Sequence, residues 1–286
     1  MMKRKVQFLA AAAAICIPAA AQADENDLSF RLVGLAGIAA DDSEATGADD
    51  GELLAALPSL AMGGDFTIQV DGMLADHRHD GAYGGALHAG ADLGEGTYLG
   101  LYASVAEVDR FSGLTTYRLG GEVEFDLGSV GIASVAGYED SESGAFYVRT
   151  TATDDIYDVY PGGGEFFAFT DLRFMPSASS RLSIGHRYTG DRHAAAAGLA
   201  IGFGNNVALI AEGRLGEGDY EAGMIGLRVL FGGAATPGHR ALLDNRLIED
   251  LFTAGNGRRS LADPLPPPPD DEEDDGCGSC GGYCAA

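Results

Sequence analysis

Asp219-Tyr220-Glu221-Ala222-Gly223-Met224-Ile225-Gly226-Leu227-Arg228-Val229-Leu230-Phe231 alternates between two unlike faces. Gly223, Ile225, Leu227, Val229 and Phe231 share one face, and Tyr220, Ala222, Met224, Gly226, Arg228 and Leu230 share the other. A period of two belongs to a β-strand, whose successive side chains leave the backbone on opposite sides. The same pattern recurs from Asp65 to Phe231 in stretches of about ten residues, the length a tilted strand needs to cross a bilayer. One apolar face, one arginine-bearing face and no helical run long enough to span together predict a transmembrane β-barrel.

Twelve strands are expected, at 28–38, 53–62, 66–75, 83–92, 97–108, 115–127, 129–138, 165–175, 181–188, 194–204, 207–214 and 219–231. Their connections alternate. Gly63-Gly64-Asp65, Leu93-Gly94-Glu95-Gly96, Asp126-Leu127-Gly128-Ser129, Met175-Pro176-Ser177-Ala178 and Gly204-Asn205-Asn206 are tight turns built from permissive residues. Most of the intervening connections are longer, and several are acidic. Short turns at one rim and longer loops at the other imply an all-β, antiparallel up-and-down barrel with both chain ends on the periplasmic side. Pro58 falls inside the second strand, where it removes a ladder donor. If that hairpin lies outside the wall, ten strands remain. In the long connection 139–164, Ala145-Phe146-Tyr147-Val148 is able to extend a hairpin above the membrane.

The barrel is expected over residues 24–232. Ahead of it, Lys3, Arg4 and Lys5, an apolar core and Ala21-Gln22-Ala23 make residues 1–23 a signal peptide cleaved after Ala23. Behind it, Leu243, Leu247 and Leu251 at i, i+4, i+8 predict a short periplasmic amphipathic helix in 233–254. Residues 255–286 hold the run Pro266 to Pro269, six carboxylates from Asp270 to Asp275, and Cys277, Cys280 and Cys284. Such a segment cannot bury a core and is expected to be disordered.

The formal net charge is −25, and Lys3 and Lys5 are the only lysines, so every cation after the signal is an arginine. That acidity argues against a nucleic-acid partner. Gly64-Asp65-Phe66-Thr67-Ile68-Gln69-Val70-Asp71-Gly72, Val135-Ala136-Gly137-Tyr138-Glu139, Arg181-Leu182-Ser183-Ile184-Gly185-His186-Arg187-Tyr188, Ala211-Glu212-Gly213-Arg214 and Gly226-Leu227-Arg228-Val229-Leu230-Phe231 resemble strands of the small porin-like outer-membrane β-barrel proteins of Gram-negative bacteria. The resemblance covers residues 64–231. It implies outer-membrane lipid as surroundings and an insertion machinery that reads Phe231 as a terminal aromatic, although here more chain follows it.

Asp71, Arg118, Glu122, Glu124, Asp171, Arg173, Arg181, Arg187, Glu212, Arg214 and Arg228 fall on the polar faces. An arginine facing lipid near mid-membrane costs roughly 2–4 kcal/mol, so these residues are expected to line the lumen. They suit either a polar channel with an ion preference or a barrel closed by its own ion pairs. Asp76-His77-Arg78-His79-Asp80 holds the one close histidine pair, which suits either contact with a transition metal or, as the simpler reading, a polar hairpin loop. No motif joins serines such as Ser104, Ser134 or Ser183 to a histidine base, so catalysis and a cofactor are not expected. Cys277, Cys280 and Cys284 can form a small disulfide with one odd thiol, or hold a soft metal. Two functions stand side by side. One is porin-like passage of small hydrophilic solutes; the other is a non-conducting structural or interaction protein that anchors acidic loops and a tail with an envelope partner. A soluble lipocalin-like barrel is a third reading.

Overall fold

The computed structural model describes residues 28–40, 51–63, 66–77, 80–108, 114–142, 144–160, 163–204, 206–217, 220–231, 243–249 and 259–264. Fourteen strands follow in order, β1 (Leu28–Ala40), β2 (Gly51–Gly63), β3 (Phe66–His77), β4 (Asp80–Gly94), β5 (Thr97–Val108), β6 (Leu114–Asp126), β7 (Val130–Ser141), β8 (Gly144–Thr150), β9 (Asp154–Tyr160), β10 (Gly163–Ser177), β11 (Ser180–Thr189), β12 (Arg192–Phe203), β13 (Val207–Gly216) and β14 (Tyr220–Phe231). After a gap comes β15 (Arg259–Pro264). Twelve of them, all but β8, β9 and β15, form one closed antiparallel barrel. The seam is β1 against β14, in register from Phe30 opposite Phe231 to Ala40 opposite Glu221.

The period-two reading assigns the faces correctly. On β14, Ile225 and Leu227 are more than half exposed, while Ala222, Met224 and Leu230 are buried. The outward rows elsewhere are Leu, Ile and Val such as Leu101, Leu119, Ile184 and Leu199. Aromatic rings mark both ends of this belt. Phe66, Phe125, Phe174 and Phe203 are exposed at the rim of the short turns, and Tyr83, Tyr117, Tyr138 and Phe166 at the other. A closed barrel with an apolar belt between two aromatic girdles and a charged interior is an outer-membrane barrel, its apolar belt in lipid and no open sheet edge facing it.

Pro58 does not break the wall. β2 pairs with β1 straight through Leu32 opposite Pro58. Toward β3 the ladder skips from Ala56–Leu74 to Ser59–Asp71 without changing register. Gly72 faces the gap, where an added Cβ would lie 3.1 Å from the Pro58 ring. One missing donor and one missing side chain are thus set opposite each other, and the barrel keeps twelve strands instead of ten.

The short connections, at β2–β3, β4–β5, β6–β7, β10–β11 and β12–β13, lie at the rim where β1 begins and β14 ends. That rim is called the near rim below. At the far rim, β8 and β9 continue β7 and β10 outward as a hairpin, from the pair Ser141–Gly163. β15 adds to β9 as a third strand. Residues 255–286 were expected to lack structure, yet 259–264 form this strand.

Candidate functional site

Every inward charge anticipated from the sequence lies on the interior face, and the structure sorts them into linked groups. On the β3–β6 side, His88 is fully buried between two carboxylates, Nδ1 2.7 Å from Glu122 Oε2 and Nε2 3.1 Å from Asp71 Oδ2. Tyr98 donates to Glu122 at 2.9 Å, and the Gln69 amide donates to Asp71 at 2.9 Å. Next to them, Arg118 donates to Glu139 at 2.8 Å and to Thr189 at 3.0 Å, with its guanidinium over Phe167 and Phe169. Buried charges persist only when paired and hydrogen-bonded in this way.

On the β10–β14 side the partners come from elsewhere. Residues 243–249 lie inside the lumen, and five of them make polar contacts to the wall, Asn245 by donating to the Gly72 carbonyl at 3.1 Å. The Leu243 carbonyl accepts from Arg31 at 2.6 Å and from Gln69 at 3.0 Å, while its N–H donates to Gln69 at 2.8 Å. Asp244 accepts from Arg173 at 2.7 Å and lies 3.4 Å from Arg181; Arg173 also meets Glu124 at 3.0 Å. Arg246 reaches Asp171 at 2.7 Å, and Arg187 binds the other oxygen of that carboxylate at 2.8 Å. Glu249 accepts from Arg187 at 2.9 Å and pairs with Arg214, which also holds Glu212 at 2.7 Å. Leu243, Leu247 and Ile248 are buried with these ions.

The wall is shaped for the inserted segment. β12 turns Ala194, Ala196 and Ala200 inward, and β13 and β14 add Ala208 and Ala222. Gly185 leaves open the space that the Asp171–Arg187 pair fills, since a Cβ there would overlap both side chains. A cavity remains between the segment and the wall from β10 round to β2, and Arg31, Arg181 and Arg228 line it beside Asp244.

The sequence reading placed 233–254 in the periplasm as a helix. Residues 243–249 instead occupy the lumen, and within them only Ile248 and Glu249 have helical geometry. His88 belongs to no local motif, because its carboxylate partners lie on β3 and β6, beyond the reach of local pattern. His186 and His193 face each other across β11 and β12 with Nε2 3.0 Å from Nδ1. Phe231 stands at the seam with its ring 5.8 Å from that of Phe30. Arg78, His79, Cys277, Cys280, Cys284 and residues 1–27 lie outside the described residues. Among the described residues no group of three or more His, Cys, Asp or Glu is placed to hold a metal ion.

No protein-family model matches the chain, and no curated protein matches its sequence. Solved structures with a similar course are barrels. The KdgM porin is 8% identical, with 69% of this chain and 98% of that one covered and a TM-score of 0.48. The translocator domain of autotransporter NalP from Neisseria meningitidis is 14% identical over 80% and 97%, at 0.43. The outer membrane protein Omp33 of Acinetobacter baumannii is 11% identical over 72% and 99%, at 0.39. These likenesses carry no residue-level correspondence.

Proposed function

We propose that this protein is an outer-membrane barrel held shut by residues 243–249 and acting as a membrane anchor for the chain that follows Phe231. Porin-like passage of small hydrophilic solutes is then confined to states in which that segment has left the lumen. The observation that carries the reading is the burial of Glu249 between Arg187 and Arg214, with Leu247 fully buried beside it. A twelve-strand barrel is narrower than the 16–18-stranded porins, so one inserted segment is enough to obstruct it.

The test is conductance in planar bilayers. The full mature chain should be silent, or open only briefly, across a range of voltage and salt. The double substitution D244A/E249A removes two carboxylates that meet wall arginines and should produce long-lived conducting steps. Steady open-channel current from the unaltered chain would overturn the reading.

A further inference from the structure

We propose that the chain crosses the membrane once more after β14, through its own lumen, and presents the residues beyond Pro264 on the outer surface of the cell. This rests on the plug reading above. It concerns a different property, namely the side on which the tail emerges.

The contacts of the inserted segment are ordered along the barrel axis. Leu243 bonds to Arg31 and Gln69, near the starts of β1 and β3 and thus close to the near rim. Asp244 meets Arg173, toward the end of β10, and Arg181, at the start of β11, again near that rim. Arg246 meets Asp171, one step deeper along β10. Glu249 meets Arg187 and Arg214, which lie toward the far ends of β11 and β13. Successive residues therefore climb from the near rim toward the far rim.

β15 continues in the same sense. Arg259 stands opposite Val159, at the base of the β8–β9 hairpin where it leaves the barrel, and Pro264 stands opposite Asp154, at the hairpin's outer end. The chain thus runs away from the membrane as it adds to the hairpin. Ten residue steps separate Glu249 from Arg259, a reach of roughly 33 Å when extended. That is ample for the rest of the lumen. The other route would return to the near rim and pass outside the wall, laying unpaired backbone through hydrocarbon, which membranes do not tolerate.

The near rim, with its short turns and the start of β1, is the periplasmic one. Strand pairing puts both ends of the barrel wall there. The lumenal crossing reverses this for the C-terminus, so Pro266 to Pro269, the six carboxylates from Asp270 and the three cysteines start from the outer end of an extracellular hairpin. Consecutive prolines form a stiff, extended spacer, which suits a tail held clear of a surface.

The mature chain carries no cysteine except Cys277, Cys280 and Cys284, which makes the test direct. Intact cells producing the full chain are treated with a membrane-impermeant reductant and then a membrane-impermeant maleimide. Labelling should match that of cells with a permeabilised outer membrane to within about twofold, and replacing all three cysteines by serine should abolish it. A tenfold or greater rise on permeabilisation would put the tail in the periplasm and overturn the proposal. In the serine background, D158C/S260C and Y157C/L261C each join a pair in register across β9 and β15. Neighbouring pairs alternate between hydrogen-bonded and non-hydrogen-bonded geometry, both within disulfide range. At least one should close a loop that migrates faster without reductant, and failure of both would overturn the pairing. A silent barrel whose tail is labelled only after permeabilisation keeps the plug and removes the crossing. A conducting barrel with an externally labelled tail does the reverse.

Discussion

Gly185 shows how the interior is tuned at the level of single side chains. It occupies an inward position of β11, between Arg181, Ser183 and Arg187, where an added Cβ would strike Asp171 Oδ1 and Arg187 Nη1. Those atoms form the ion pair that also holds Arg246. Forcing them apart costs twice, through overpacking and through the loss of a buried partner. Overpacking alone typically costs about 1–3 kcal/mol, and breaking a buried pair about 3–5 kcal/mol. Gly185→Ala is therefore expected to destabilise the folded barrel measurably, seen as a lower temperature for the shift between folded and unfolded bands on a gel. Gly34→Ala is the matched comparison, because nothing lies within 4 Å of a Cβ there. An equal drop for both would disprove the packing argument.

Along single strands, alternation decides what is tolerated. On β11, Ile184 faces lipid at 62% exposure and its neighbour Ser183 faces the cavity. Ile184→Arg should cost roughly 2–4 kcal/mol, the usual penalty for a mid-belt arginine. Ser183→Gln should leave the unfolding midpoint nearly unchanged, since a polar side chain there gains Arg181 and solvent as neighbours. Denaturant titration in detergent distinguishes the two, and similar losses would mean the faces are misassigned. This alternation is why the wall was legible: period two, permissive turns and a lipid penalty on charge are local rules, readable one strand at a time. Pro58 remained ambiguous because its answer lies on the neighbouring strand, in Gly72. The inserted segment was not legible at all. Leu243, Leu247 and Leu251 have helical spacing, and Asp244, Arg246 and Glu249 look like its solvated face. Their partners, Arg31, Arg173, Asp171 and Arg214, are distant in sequence, and no periodicity reports a pairing of that range.

Across the whole barrel the inward charges are separated into two walls. Asp71, Glu122, Glu124 and Glu139 come from β3, β6 and β7; Arg173, Arg181, Arg187, Arg214, Arg228 and Arg31 come from the adjoining run β10, β11, β13, β14 and β1. Arg118 crosses this division, as do Asp171 and Glu212, each beside an opposite charge. The acidic wall is largely satisfied from within, by His88, Tyr98 and Arg118. The basic wall is satisfied in good part by Asp244 and Glu249 of the inserted segment. Withdrawal of that segment therefore leaves an excess of positive charge facing the water that replaces it, and fixed charge in a pore sets which ions enter. A chain ending at Phe231, refolded in detergent and placed in bilayers, should conduct and prefer anions, with a reversal potential of the anionic sign across a potassium chloride gradient. Adding R181A and R228A to that chain should weaken the preference without closing the pore. A cation preference in the truncated barrel would mean that the arginine wall does not govern the interior field.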